Sequence, residues 1–115
     1  MPKASEWKAV EVAQNGTTSA ECDLGRDYEK CQVYIPALDS ATMQLQVARN
    51  SGDTPSPVYE FNYATAADFA KTTTARSTQI SMVVWNIFGR FVTIVCGASQ
   101  STAKRTFYVR GINPL

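Results

Sequence analysis

"ATMQLQVARN", residues 41–50, alternates with a period of two: Met43, Leu45 and Val47 fall on one side, Gln44, Gln46 and Ala48 on the other. Successive side chains of an extended chain point to opposite faces, so this stretch reads as a strand with one dry and one wet face. That is the form taken by antiparallel sheets. "NSGDTPSP", residues 50–57, ends it, because Gly52, Pro55 and Pro57 among polar neighbours make a surface loop. "VYEFNY", residues 58–63, resumes the extended pattern.

The same period runs upstream. "KCQVYIPAL", residues 30–38, places Cys31, Val33 and Ile35 on one face until Pro36 removes a ladder donor. "TSAECDLG", residues 18–25, puts Ala20, Cys22 and Leu24 on one face and Glu21 and Asp23 on the other, with Gly25 closing the run. Ahead of it stands "QNGT", residues 14–17, and Asn-Gly signals a tight turn because both central positions tolerate positive φ. A hairpin back to "WKAVEVA", residues 7–13, is therefore expected. In that first strand Trp7, Ala9, Glu11 and Ala13 alternate with Lys8, Val10 and Val12, and either face can be read as inward.

Downstream, "STQISMVVWNIFG" (77–89), "GRFVTIVCGAS" (89–99) and "AKRTFYVRG" (103–111) each have strand composition. Residues 64–76, "ATAADFAKTTTAR", hold the one place where a helix competes. Ala66, Ala67, Phe69 and Ala70 lie at nearly helical spacing, which predicts one turn of helix or a folded-over loop. The threonines at 72–74 stop any continuation, since branched side chains crowd the preceding turn.

About eight short strands separated by turn signals predict an all-β fold, a single antiparallel β-sandwich with little helix. Jelly-roll and immunoglobulin-like connectivities satisfy that count equally. A chain of 115 residues matches the usual size of one domain. The expectation is one domain over residues 1–115, with short flexible arms at about 1–6 and 111–115. Its longest apolar runs, such as "SMVVW" and "FVTIVCG", are far too short to span a bilayer. "MPKASEWKAV" carries no apolar core of a signal peptide, so no membrane partner is expected.

The charges nearly cancel, with 11 Lys and Arg against 10 Asp and Glu, so no global field draws the chain to nucleic acid or anionic lipid. There is no histidine, which removes the usual general base and the commonest metal ligand together. Cys22, Cys31 and Cys96 cannot all pair within one chain, and their apolar surroundings suit buried thiols in a reducing compartment. A Cys22–Cys31 bridge across adjacent strands stays geometrically open. The cysteine spacing does not form zinc knuckles, and "ECDLGRDYEK" lacks the spacing of a calcium loop. The six glycines are scattered, and none opens a phosphate-binding helix. No catalytic residue, cofactor or metal is expected.

Contact residues are the remaining candidates. "KRTFYVRG", residues 104–111, sets Lys104, Thr106, Tyr108 and Arg110 on one face and Arg105, Phe107 and Val109 on the other. A basic stripe with one aromatic suits single-stranded nucleic acid only if neighbouring strands add stacking surfaces. No second basic strand stands beside it, and basic residues on an outer strand also discourage edge-to-edge aggregation, so nucleic acid is not an expected partner. Trp7 and Trp85 serve either as a stacking platform or as core and interface. The candidate contact set is Trp7, Trp85, Lys104, Tyr108 and Arg110.

"TSAECDLG", the run from 33 to 61 and the run from 89 to 111 together resemble the small β-sandwich structural proteins of tailed-bacteriophage virions. The shared order is a Thr-Ser opening before Asp-Leu-Gly, a central Ile-Pro segment leading to Val-Ala, and a final Arg-Gly strand. The resemblance implies a non-enzymatic virion component. The member it points to is a capsid decoration or cement protein, folded in the host cytoplasm and carried on the capsid surface. Its implied partners are the major capsid protein and neighbouring copies of itself in a homo-oligomer. A neck or tail component, or a carbohydrate-binding host-adhesion module, are the alternatives.

Overall fold

A computed structural model describes residues 3–38, 42–62, 67–70 and 80–113. Among them the chain forms nine strands: β1 Lys3–Ala4, β2 Lys8–Val12, β3 Cys22–Ile35, β4 Met43–Ala48, β5 Ser56–Pro57, β6 Tyr59–Asn62, β7 Ala67–Ala70, β8 Ile80–Cys96 and β9 Arg105–Asn113. One antiparallel sheet of seven strands has the order β1-β9-β3-β8-β4-β5, with β2 also paired to β9, and β6 and β7 form a separate two-stranded ladder. The all-β antiparallel class read from the alternation is the class of the structure.

Two strands exceed the short lengths expected, β3 with 14 residues and β8 with 17. The glycines read as strand ends lie inside them. Gly25 (φ 97°) and Phe88 (φ 46°) sit in the left-handed region, and the β3–β8 register shifts between Asp23 and Tyr28 and again between Tyr28 and Lys30. A one-residue slip moves every following side chain to the other face. The buried positions show the flip: Leu24 and Tyr28 in β3 give way to Cys31, Val33 and Ile35, and Trp85 and Ile87 in β8 give way to Val92, Ile94 and Cys96. One bent strand pair therefore serves two layers. Its far half is flanked by β9, its near half by β4, and both send their apolar side chains into one core with Val10, Val12, Met43, Leu45, Phe107 and Val109.

The Asn-Gly turn does not make the expected hairpin. Asn15 has φ 66° but Gly16 is not in the left-handed region, so the two-residue turn that folds a strand onto itself is not formed. Instead β2 pairs with β9, from Lys8↔Val109 to Val12↔Arg105. The chain after the turn lies along β8: the Ser19 amide donates to the Ile94 carbonyl (2.9 Å), and the Cys96 amide to the Thr17 carbonyl (2.7 Å). The turn carries the chain from one layer to the other.

Two further expectations change. Ala67, Phe69 and Ala70 belong to β7, paired with β6 from Asn62↔Ala67 to Tyr59↔Ala70, so cross-strand pairing prevails over helical spacing; Ala66 and residues 71–76 lie outside the described residues. The arms expected at 1–6 and 111–115 are laddered where they are described, with Lys3↔Asn113 and Ala4↔Ile112. The Ser5 amide donates to the Gly111 carbonyl, and the Gly111 amide to Ser5 Oγ, both at 2.9 Å.

Candidate functional site

The outer face of β9 is built by alternation: Phe107 and Val109 are fully buried, so Tyr108 and Arg110 between them face away from the core. Register then assembles a cluster across three strands. Tyr108 stands opposite Ala9 on one side and Tyr34 on the other, and Arg110 stands opposite Gln32. The Tyr34 and Tyr108 rings meet edge to face, centroids 6.3 Å apart at 70°. Trp7, just ahead of β2, lies beneath the Arg110 guanidinium, 4.6 Å from ring centroid to Cζ. Arg110 Nε donates to Gln32 Oε1 at 2.7 Å. The guanidinium is thus held between an amide oxygen and a π-face, and it fixes Trp7 in turn.

Trp7, Tyr34 and Tyr108 line an open notch of about 510 Å³. Trp7 is 42% exposed and Tyr108 44%, high values for aromatic side chains on a wet sheet face.

The structure brings together three of the residues expected to make contacts, Trp7, Tyr108 and Arg110. Lys104 lies beyond the start of β9, exposed, with its ammonium 3.5 Å from the Glu11 carboxylate. Trp85 is 0% exposed. It shares the inward face of β8 with Ile87 and offers no surface to a partner, so it leaves the contact set and joins the core. Tyr34 was not among the expected residues, although a signal existed: it is the large aromatic on the wet face of "QVYIP", between buried Val33 and Ile35. Phe88, 73% exposed at the bend, carries no such pattern.

Elsewhere one carboxylate is held by a fork of hydrogen bonds. Asp23 accepts from Arg90 Nε (2.6 Å), Arg90 Nη2 (2.9 Å) and the Gly25 amide (2.8 Å), and these bonds hold its carboxyl at about 2. A depressed carboxyl favours the folded form above the ordinary carboxylate pKa, about 4, and loses that contribution as pH falls toward 2. A carboxyl-carbon NMR titration should place the Asp23 midpoint well below those of unpaired aspartates. A midpoint near 4 would mean the Arg90 fork does not persist in solution.

All three cysteines are free thiols. Burial pushes Cys31 up to about 12 and Cys96 up to about 11, and it also raises half-buried Cys22. Since the thiolate is the reacting species, iodoacetamide at pH 8 should label the folded protein slowly and at Cys22 first. Labelling of Cys31 at the rate of Cys22 would refute the buried placement. Among the described residues no three Asp, Glu or Cys side chains converge as a metal site. Among the described residues no helix is long and apolar enough to cross a membrane.

The fold and this cluster define an antiparallel all-β protein with an exposed aromatic notch on its outer face. No family model and no curated protein matches the chain. Among solved structures it is similar to the crystal structure of the SPBc2 prophage-derived protein YomS. The TM-score is 0.60 at 13% identity, covering 98% of this chain and 96% of that one. At that identity the likeness is one of fold, end to end.

Proposed function

We propose that this chain is a non-enzymatic structural protein of a bacteriophage virion, a capsid decoration protein seated on the major capsid lattice beside neighbouring copies of itself. The observation that carries the reading is the exposed cluster of Trp7, Tyr34, Tyr108 and Arg110. Trp, Tyr and Arg are the residues that dominate binding energy at protein interfaces, and here they are grouped and pre-ordered on one sheet face. The whole-length likeness to a prophage-derived protein and the virion-like order of sequence segments support the same origin.

A sugar-binding role is less well served by this face. Stacking along a saccharide asks for rings presented flat in a row, whereas Tyr34 and Tyr108 meet at 70°.

The test is the copy number of this chain in purified particles, measured against the major capsid protein by quantitative mass spectrometry. A number near that of the capsid protein is expected. A handful per particle would move the protein to the neck or tail, and absence from particles would refute a virion role.

A further inference from the structure

We propose that the notch of Trp7, Tyr34 and Tyr108 receives the proline-bearing loop, residues 53–57, of a second copy of this chain, so that copies join head to tail. The inference rests on reading this face as an assembly face and names its occupant.

The notch selects the kind of group that enters it. Two tyrosine rings at 70° with a tryptophan beside them form an angular recess whose lining, among the described residues, is aromatic. A compact, non-planar apolar ring fits between such faces, and aromatic-lined grooves are the general receptor for extended proline segments. Such segments lose little entropy on docking because their backbone is already restricted.

The chain carries that ligand. After β4, Pro55 in the loop and Pro57 in β5 are half-buried around exposed Ser56, with Asp53 and Thr54 exposed before them. The loop is held in shape. Ser51 Oγ and the Gly52 amide donate to the two Glu21 carboxylate oxygens at 2.7 and 3.0 Å, and the Asp53 amide donates to the Asn50 carbonyl at 3.2 Å. Pro57 is fixed opposite Gln46 on the edge strand β5. A ligand ordered in advance avoids much of the entropic cost of docking.

Charge and position agree. Arg110 brings a positive charge to the back of Trp7 and, among the described residues, no carboxylate lines the notch, while Asp53 brings a negative charge to the prolines. β5 ends the strand order on one side, and β1 and β2, both paired with β9, end it on the other. The loop and the notch are therefore built from different strands of the sheet. Joining them between copies makes a heterologous contact, which closes into a ring or runs on as a filament.

The experiment uses the full chain in sedimentation velocity, from micromolar to millimolar. Two variants carry complementary defects: Tyr108→Ala removes the notch, and Pro55→Ser with Pro57→Ser removes the ligand. Both sites are at the surface, and circular dichroism checks that each variant is folded; Tyr34→Ala is the second notch variant. The wild type is expected to self-associate beyond a dimer, and each variant alone to be monomeric. Mixed one to one, the two variants should give a heterodimer and nothing larger, since the mixture joins one sound notch to one sound loop. A wild type that stays monomeric at millimolar concentration, a notch variant that assembles like the wild type, or a mixture that remains monomeric would each overturn the proposal. If these fail while the protein is abundant in particles, the head-to-tail contact is wrong and the virion role stands.

Discussion

Trp85→Ala is expected to lower the unfolding free energy by about 3–5 kcal/mol, the range for truncating a large buried aromatic. The side chain is fully buried in the one core that both layers share, among the inward residues of β3, β8 and β9. Removing it deletes apolar area and leaves a cavity beneath a strand held in register by β3, with Trp85 opposite Cys31. Domains of this size have only about 5–15 kcal/mol in total, so the variant should be partly unfolded near 37 °C. Trp85→Phe should cost much less, about 1 kcal/mol. Among the described residues no acceptor meets Trp85 Nε1, so the phenyl ring removes an unsatisfied donor as well as some volume. Urea denaturation of the three proteins measures both effects. A Phe loss well above 1 kcal/mol would mean that the indole N–H is bonded in solution, and a loss below 1 kcal/mol for Ala would mean Trp85 is not in the core.

Gly111→Ala should be the other severe change, about 3 kcal/mol, at the upper end of what overpacking costs. Gly111 lies in β9 opposite Cys31, and a Cβ built on it would fall within the ring of Tyr28. Tyr28 is itself 8% exposed and caps the core where β3 bends, so the ring must leave its place or β9 must part from β3. Glycine in a strand interior marks such a close approach, and here the cause is steric because its φ is not in the left-handed region. The mechanism predicts coupling: Tyr28→Ala should relieve most of the cost, so the double variant should be more stable than the sum of the singles implies. Additive losses would place the strain elsewhere.

Much of the fold was legible because alternation is a local property. Met43 and Leu45, and Cys31, Val33 and Ile35, face the core as their spacing requires. What escaped was non-local. A bulge flips the alternating pattern, so the bends near Gly25 and Phe88 look in sequence like the ends of separate strands. The partner of β2 is 97 residues away, Val10 against Phe107, and no turn signal announces it. Trp85 sits in "SMVVWNIFG", apolar on both faces over much of its length, so its inward orientation depended on a register fixed only by pairing. The candidate site was half legible for the same reason. Trp7, Tyr108 and Arg110 stand out as aromatic and basic residues near the ends of the chain, but only the β9–β3 ladder brings Tyr34 to them.

The pairing of β1 and β2 with β9 also dictates an order of events. On the ribosome, Lys8–Val12 emerges early and has no ladder partner until Arg105–Asn113 has been made, so the layer that bears the aromatic notch cannot close during most of translation. The bent pair of β3 and β8, joining residues as distant as Cys22 and Val92, imposes a similar wait. Chains dominated by such distant pairings fold in about milliseconds to seconds, not microseconds. Throughout that delay Val10 and Val12 are uncovered, apolar side chains that only the closed sheet shields from aggregation.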